Sequence, residues 1–289
     1  MLRRQRTILR VLSTADGTVS ATLLQKLLFL LREETFIGRD AGFYEFLPYK
    51  YGAFSFAAHR ETEALTAYGY ISSSNSSFGI TPPGKKEASH VDADTVRAVR
   101  TIVTKYGTGS LQALLTDIYA RYPWYATNSE LRDIVPPGAK KPQGAPIAVY
   151  TSGYENLSVD GFFNRLLRAG IRQIIDVRAN PVSRKYGFAK ATLSSLAGKL
   201  SLAYSHFPEL GISSAKRQDV QSPSEFKELF RYYERKILPT NADTVKKVVE
   251  LMENTPSVLV CMEKEAVDCH RSRLATHVAD LSGLEIVHL

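Results

Sequence analysis

Cysteine is scarce in this chain of 289 residues, which holds two, Cys261 and Cys269. Two thiols in that length cannot build the disulfide framework of a small secreted domain. Long apolar runs are missing as well; none approaches the roughly 20 residues that a membrane helix needs. The first residues, Met1-Leu-Arg-Arg-Gln-Arg6, are basic, but they run into Thr7-Ile-Leu-Arg10 and not into the apolar stretch of a signal peptide. We therefore expect a cytoplasmic protein with no membrane partner. Several motifs are absent too. There is no Gly-x-x-x-x-Gly-Lys-Ser/Thr phosphate loop, no Gly-x-Gly-x-x-Gly fingerprint and no Gly-x-Ser-x-Gly elbow. Neither cysteine opens the arginine-closed loop of tyrosine phosphatases. No cofactor is expected.

What remains is ordinary globular material, 44% hydrophobic and 23% charged, in a length that suits two domains. The net charge of +8 favours anionic partners, of which nucleic acid or a nucleotide-like anion is the commonest. Solubility alone is the plainer use of such a charge. A composition break divides the chain at Val135-Pro-Pro-Gly-Ala-Lys-Lys-Pro-Gln-Gly-Ala-Pro146, which has four prolines, two glycines and no apolar period. We expect a first domain over 1–135, a linker over 136–146 and a second domain over 147–289.

The first domain reads as mainly helical. An arginine-rich helix over 4–12 is followed by one with Leu23, Leu24, Leu27, Leu28 and Leu31 at helical spacing. An aromatic extended stretch, residues 43–54, turns at Gly52. A helix over 55–68 then leads to a two-stranded wing, 69–72 with 77–81, around a serine loop; Thr81-Pro-Pro-Gly84 reads as a lesser loop. Helices near 93–105 and 110–122 complete a winged-helix-like outline. The region over roughly 5–135 resembles the Panacea (SocA-like) antitoxin domain. That resemblance is carried by Leu24-Gln-Lys-Leu-Leu-Phe-Leu30, Tyr49-Lys-Tyr-Gly-Ala-Phe-Ser55, Ala67-Tyr-Gly-Tyr-Ile71, and Tyr122-Pro123 with Asn128-Ser-Glu130. It implies a recognition module of toxin–antitoxin and phage-defence settings. Ala53 stands where the family usually has proline. Core packing and ligand contact both suit Tyr49, Tyr51 and Phe54.

The second domain alternates strand and helix. Strands are expected over 147–151, 171–176, 202–206, 257–261 and 285–288. Helices lie between them, one capped by Ser158 and ended by Gly170, another opened by Ser222-Pro-Ser-Glu225. Repeated βα units imply a mostly parallel, Rossmann-like α/β sheet with helices on both faces. Such strands place the polar residues that follow them on one edge, where ligands bind. Those residues are Tyr154; Asp176, Arg178, Ser183, Arg184 and Phe188; His206 and Glu209; and Cys261, Glu263, Cys269, His270 and Arg271. Residues 148–288 resemble the domain-of-unknown-function family number 488. The matching motifs are Tyr150-Thr-Ser-Gly-Tyr154, Ile175-Asp-Val-Arg178, Pro181-Val-Ser-Arg-Lys-Tyr-Gly-Phe188, Tyr204-Ser-His-Phe-Pro-Glu-Leu-Gly211, Cys261-Met-Glu263 and Cys269-His-Arg271. The resemblance implies an α/β domain with a role linked to nucleic acid.

Each residue has an active and an inert use. Asp176 could move a proton or merely pair with Arg178. Arg178 and Arg184 suit phosphate, because the guanidinium fork matches two of its oxygens. Tyr154 and Phe188 could stack on a base, or Phe188 could be buried against the sheet. Ser183, His206 and Glu209 complete the expected ligand set. Asp268 would cap a helix whose first turn holds Cys269, His270 and Arg271. There helix N–H groups and Arg271 would lower the Cys269 thiol pKa and favour an anion near His270. Cys261 reads as a buried thiol, and Glu263 as a carboxylate for acid–base work. Structural zinc commonly uses Cys-x-x-Cys pairs, whereas seven residues separate these cysteines, so no metal is expected. The function expected is an enzyme directed at nucleic acid or a nucleotide. It would hydrolyse a glycosidic bond or modified base as a defence against foreign DNA, with Asp176, Glu263, His270 and Cys269 as catalytic candidates. The alternative is a non-enzymatic, antitoxin-like regulator of a toxin or operator DNA. A homodimer or a toxin or antitoxin partner would suit either.

Overall fold

The computed structural model describes residues 1–213, 215–216 and 222–289. The chain divides into two compact units, Met1–Lys141 and Pro142–Leu289. No helix among the described residues is long and apolar enough to cross a membrane.

In the first unit, α1 (Arg3–Thr14) leads through β1 (Val19–Ser20) into α2 (Ala21–Glu34), whose N-terminus is capped by the Ser20 side chain. The aromatic stretch forms a hairpin, β2 (Leu47–Tyr49) with β3 (Gly52–Phe54), turning at Gly52 with φ +88°. A Cβ there would also strike the ring of Tyr119. Next come α3 (Phe56–Ala67), capped by Ser55, and the pair β4 (Ile71–Ser74) and β5 (Ser77–Ile80). Strand β1 joins that pair, giving a three-stranded antiparallel sheet in the order β1-β5-β4.

The expected loop at Thr81-Pro-Pro-Gly84 is instead the start of a helix, α4 (Pro82–Ala88). Prolines are tolerated in a first turn, whose N–H groups lack intrahelical partners, and the Thr81 hydroxyl accepts from the Gly84 N–H. Helices α5 (Ala93–Tyr106), α6 (Leu111–Arg121) and the short α7 (Pro123–Ala126) follow. The core collects Leu27, Leu28, Leu31 and Phe29 of α2 with Ile8, Leu12, Ile102 and Ile118.

The second unit holds β6 (Val149–Gly153), α8 (Val159–Ala169), β7 (Gln173–Asp176), α9 (Lys190–Lys199) and β8 (Ala203–His206). Then come α10 (Pro223–Tyr232), which runs on through a π turn at Tyr233–Ile237, α11 (Ala242–Asn254) and β9 (Ser257–Cys261). Helix α12 (His270–Ser282) and β10 (Ile286–His288) complete it. All five strands are parallel, in the order β10-β6-β9-β7-β8. Strands β6, β7 and β9 are buried along their whole lengths, as a sheet covered on both faces requires.

This order positions the site. From β6 the chain crosses β9 to reach β7; from β9 it crosses β6, in the opposite direction, to reach β10. Right-handed crossovers then put α8 and α12 on opposite faces. In keeping with that, Leu274 and Val278 of α12 share a core with Val245 and Val248 of α11 and with Ile175 and Leu259 of the sheet. Neighbouring strands whose connections leave to opposite faces open a crevice at their C-terminal ends. Strand β9, ending at Cys261, lies at that crevice.

Candidate functional site

Two side-chain clusters occupy the C-terminal edge of the sheet. The first is built on the turn after β7. Asp176 is fully buried and Arg178 nearly so. Arg178 donates from Nε and Nη2 to the two Asp176 oxygens at 2.8 and 2.6 Å. Its backbone N–H reaches Asp176 at 3.1 Å, and the Tyr204 hydroxyl donates to the same carboxylate at 2.6 Å. Nη1 of Arg178 is taken up by the Tyr154 hydroxyl at 3.0 Å and the Phe188 carbonyl at 2.8 Å. Burial works against the guanidinium charge, but the bonds to Asp176 hold its pKa above the ordinary value. Burial and the adjoining carboxylate push the Tyr204 phenol well up. The carboxylate thus accepts four hydrogen bonds, and the forked guanidinium is spent on protein partners.

The aromatic pair is likewise turned inward. Tyr154 and Phe188 stack with ring centroids 4.1 Å apart and planes 12° apart, and the edge of Phe162 closes on Phe188. Phe188 is fully buried, so of its two expected uses the fold shows burial. His206 Nε2 bonds to the Arg178 carbonyl at 2.8 Å.

The second cluster sits at the end of β9 and the start of α12. The helix begins one residue later than expected: Cys269, not Asp268, is the cap, its sulfur accepting from the Arg271 N–H at 3.5 Å. His270 is buried, with Nδ1 3.8 Å from each of the Cys261 and Cys269 sulfurs. Its Nε2 lies 3.1 Å from the carbonyl of Val177, the residue between Asp176 and Arg178. The paired turn of the first cluster therefore orients the imidazole of the second. The Cys261 thiol donates to Glu263 at 3.1 Å.

The Cys269 thiol differs from expectation. Burial raises its pKa well above the ordinary value, the adjoining Cys261 and Glu263 add to the rise, and Arg271 opposes it without prevailing. A helix N-terminus favours a thiolate, but a buried sulfur beside another thiol and a carboxylate is dominated by desolvation and like charge.

Glu263 is half-buried on a loop pinned from several sides. Arg271, itself buried, donates from Nη1 to the Glu263 carbonyl and from Nη2 to the Lys264 carbonyl at 2.9 Å. Glu155 bonds the same loop through the Met262 carbonyl at 2.9 Å and the Lys264 N–H at 3.0 Å. The loop passes so close to β6 that a Cβ on Gly153 would lie 1.8 Å from the Glu263 carbonyl oxygen. Glycine is required there by proximity.

The structure thus gathers Tyr154, Asp176, Arg178, Phe188 and His206 in one network, and Glu263, Cys269 and His270 with Cys261 in another. Arg271 braces the second. The others stand apart: Ser183 accepts from the Lys185 N–H, Arg184 is exposed, and exposed Glu209 accepts from Thr244 at 3.0 Å.

The second cluster opens on a cavity of about 530 Å³. Its lining is partly apolar, with Ile212, Phe226, Leu229, Phe230 and Met262, and partly polar, with Glu263, Asp268, Cys269 and His270. The apolar part of the lining was missed in the sequence, although Phe226 and Phe230 stand at helical spacing just after the capping box. Also missed was Lys26, buried among the leucines of α2 beside a second cavity of about 200 Å³ in the first unit.

Residues 158–278 match the family model described as Domain of unknown function DUF488. No curated protein and no solved structure matches the chain.

Proposed function

We propose that the second unit is a hydrolase acting on a base-containing substrate, free or in DNA, held in the cavity at the end of β9. The carrying observation is the cavity's lining, which joins the aromatic Phe226 and Phe230 with the polar Glu263, Asp268, Cys269 and His270. Such a lining offers a flat heteroaromatic ring both aromatic faces to stack on and polar groups to bond. Glu263 is the group placed to take a proton from water, since it lines the cavity whereas Asp176 is engaged by Arg178 and Tyr204. Asp176, Arg178, Tyr154 and Phe188 act as framework. The net charge of +8 suits an anionic substrate. The first unit serves as a recognition module of the winged-helix, Panacea type; its support is the succession α1, α2, α3 with the antiparallel sheet β1-β5-β4. A setting in defence against foreign DNA rests on the Panacea resemblance alone.

Calorimetry of the full chain against nucleobases, nucleosides, ribose 5-phosphate and short single-stranded DNA tests this reading. A base-containing ligand should bind more tightly than ribose 5-phosphate. Phe226→Ala should weaken that binding by about tenfold or more, the scale of one stacked base. Glu263→Gln should bind normally and release no product by mass spectrometry. Equal affinity for ribose 5-phosphate, or turnover by Glu263→Gln, would contradict it.

A further inference from the structure

Spacing in the sequence speaks against a metal, but folding changes the question. Strand β9 and the start of α12 bring Cys261, Cys269 and His270 together with their ligand atoms all within 4.8 Å of one another. From these positions we infer that Cys261, Cys269 and His270 bind a divalent metal ion of the zinc class, leaving an open coordination position beside Glu263 at the cavity.

The distances suit that use. With metal–sulfur bonds near 2.3 Å and metal–nitrogen bonds near 2.0 Å, tetrahedral ligands stand about 3.5 Å apart for sulfur and nitrogen and about 3.8 Å for two sulfurs. Here Nδ1 lies 3.8 Å from both sulfurs, so binding needs only small movements. The tautomer suits it as well. The Val177 carbonyl can only accept, so Nε2 carries a hydrogen, and Nδ1 is the ring nitrogen that faces the two thiols. A ligating histidine that donates its other ring N–H to a carbonyl is the usual supporting arrangement of such centres. In this fold the Asp176–Arg178 pair fixes the turn that supplies that carbonyl.

Three protein ligands with a cavity beside them describe a catalytic rather than a structural centre. Cys269 and His270 both line the cavity, and so does Glu263. A thiolate pair and one imidazole, with a nearby carboxylate that takes the proton of the metal-activated water, is the donor set used for hydrolysis at nucleobase rings. The metal site stands on geometry alone; only the nature of the substrate rests on the reading of the preceding section.

The test uses the full chain, stripped of metal under reducing conditions and titrated with zinc and with cobalt(II). One equivalent of cobalt should bind and give the intense near-ultraviolet absorption of thiolate-to-cobalt charge transfer. Cys269→Ser should lose that band and weaken zinc binding by about a hundredfold or more, with its circular dichroism unchanged. Should Cys269→Ser misfold, His270→Gln supplies the same comparison. Glu263→Gln should keep the metal within a few fold. The assignment is overturned if folded wild type takes up neither ion at micromolar concentration, or if Cys269→Ser binds as wild type does. A Cys261–Cys269 disulfide recovered by mass spectrometry in place of metal uptake would also overturn it, making the pair a redox couple. Loss of metal from Glu263→Gln would mean a closed site of four ligands and would end the open-site assignment. Metal uptake without base binding would sustain this site and sink the base-directed reading; base binding without metal uptake would do the reverse.

Discussion

Lys26 in the first unit and Arg178 in the second are both long cationic side chains buried in the fold, and they are held in opposite ways. In the first, Lys26 is buried to 1% exposure, its amine donating to the Ala53 carbonyl at 2.6 Å. Burial pulls its pKa down to about 7. In the second, Arg178 lies across both oxygens of a fully buried carboxylate. The chemistry of the two groups explains the divergence. An amine can shed its proton when water is withdrawn, whereas a guanidinium cannot and must be given acceptors, a carboxylate for Arg178 and backbone carbonyls for Arg271. The lysine is therefore a changeable charge at the edge of a cavity, and the arginine a fixed brace. Arg178 and Asp176, the most conspicuous charged pair in the sequence of the second unit, are bonded to each other and to the protein around them.

Removing the carboxylate should break the contrast most severely. Asp176→Ala leaves Arg178 buried without its partner, and the expected loss is about 3–5 kcal/mol by chemical denaturation. A change below about 1 kcal/mol would show that the guanidinium reaches water or finds another acceptor, and that it is no brace.

The lysine should give a smaller effect with a pH signature of its own. The folded pKa is lowered to about 7 from 10.5 in a free chain, so the unfolded state binds more protons between those values. Wild-type stability therefore carries the full penalty below about pH 7 and sheds it as pH rises toward 10.5. Lys26→Met removes the titration. Its stability relative to wild type should be highest near pH 6 and fall by about 2–4 kcal/mol on going to pH 10. A difference flat with pH would mean that Lys26 stays charged in the fold.

The parts of this fold that were legible in the sequence are those fixed by local chemistry. Ser158 and Gly170 bound α8 as a hydroxyl cap and a left-handed stop, Gly170 having φ +77°. The reciprocal bonds of Ser222 and Glu225 open α10, and the apolar run before Cys261 forms β9 over the residues expected. Where partners distant in the chain decide, the reading slipped. The first strand of the second unit lies at Val149–Gly153, two residues beyond its expected place, because its register is set by pairing with β9. The inventory of the site was legible for a similar reason, since polar residues after parallel strands must share an edge. Its division into a buried ion-pair network and a thiol–imidazole cluster was not. That depends on β9 lying between β6 and β7, which brings His270 to the Val177 carbonyl across a separation of 93 residues.

On the proposed reading, the Asp176–Arg178 pair holds the Val177 carbonyl that aligns His270 with the two thiols, and the chemistry belongs to the end of β9 rather than to Asp176. Nitrogen-15 NMR of His270 in the full chain at neutral pH tests it most directly. The account predicts a proton fixed on Nε2 and a bare or metal-bound Nδ1 in wild type, with the ring averaging between tautomers in Asp176→Ala. A proton on Nδ1 of the wild-type ring, or the same fixed tautomer after the carboxylate is removed, would contradict it.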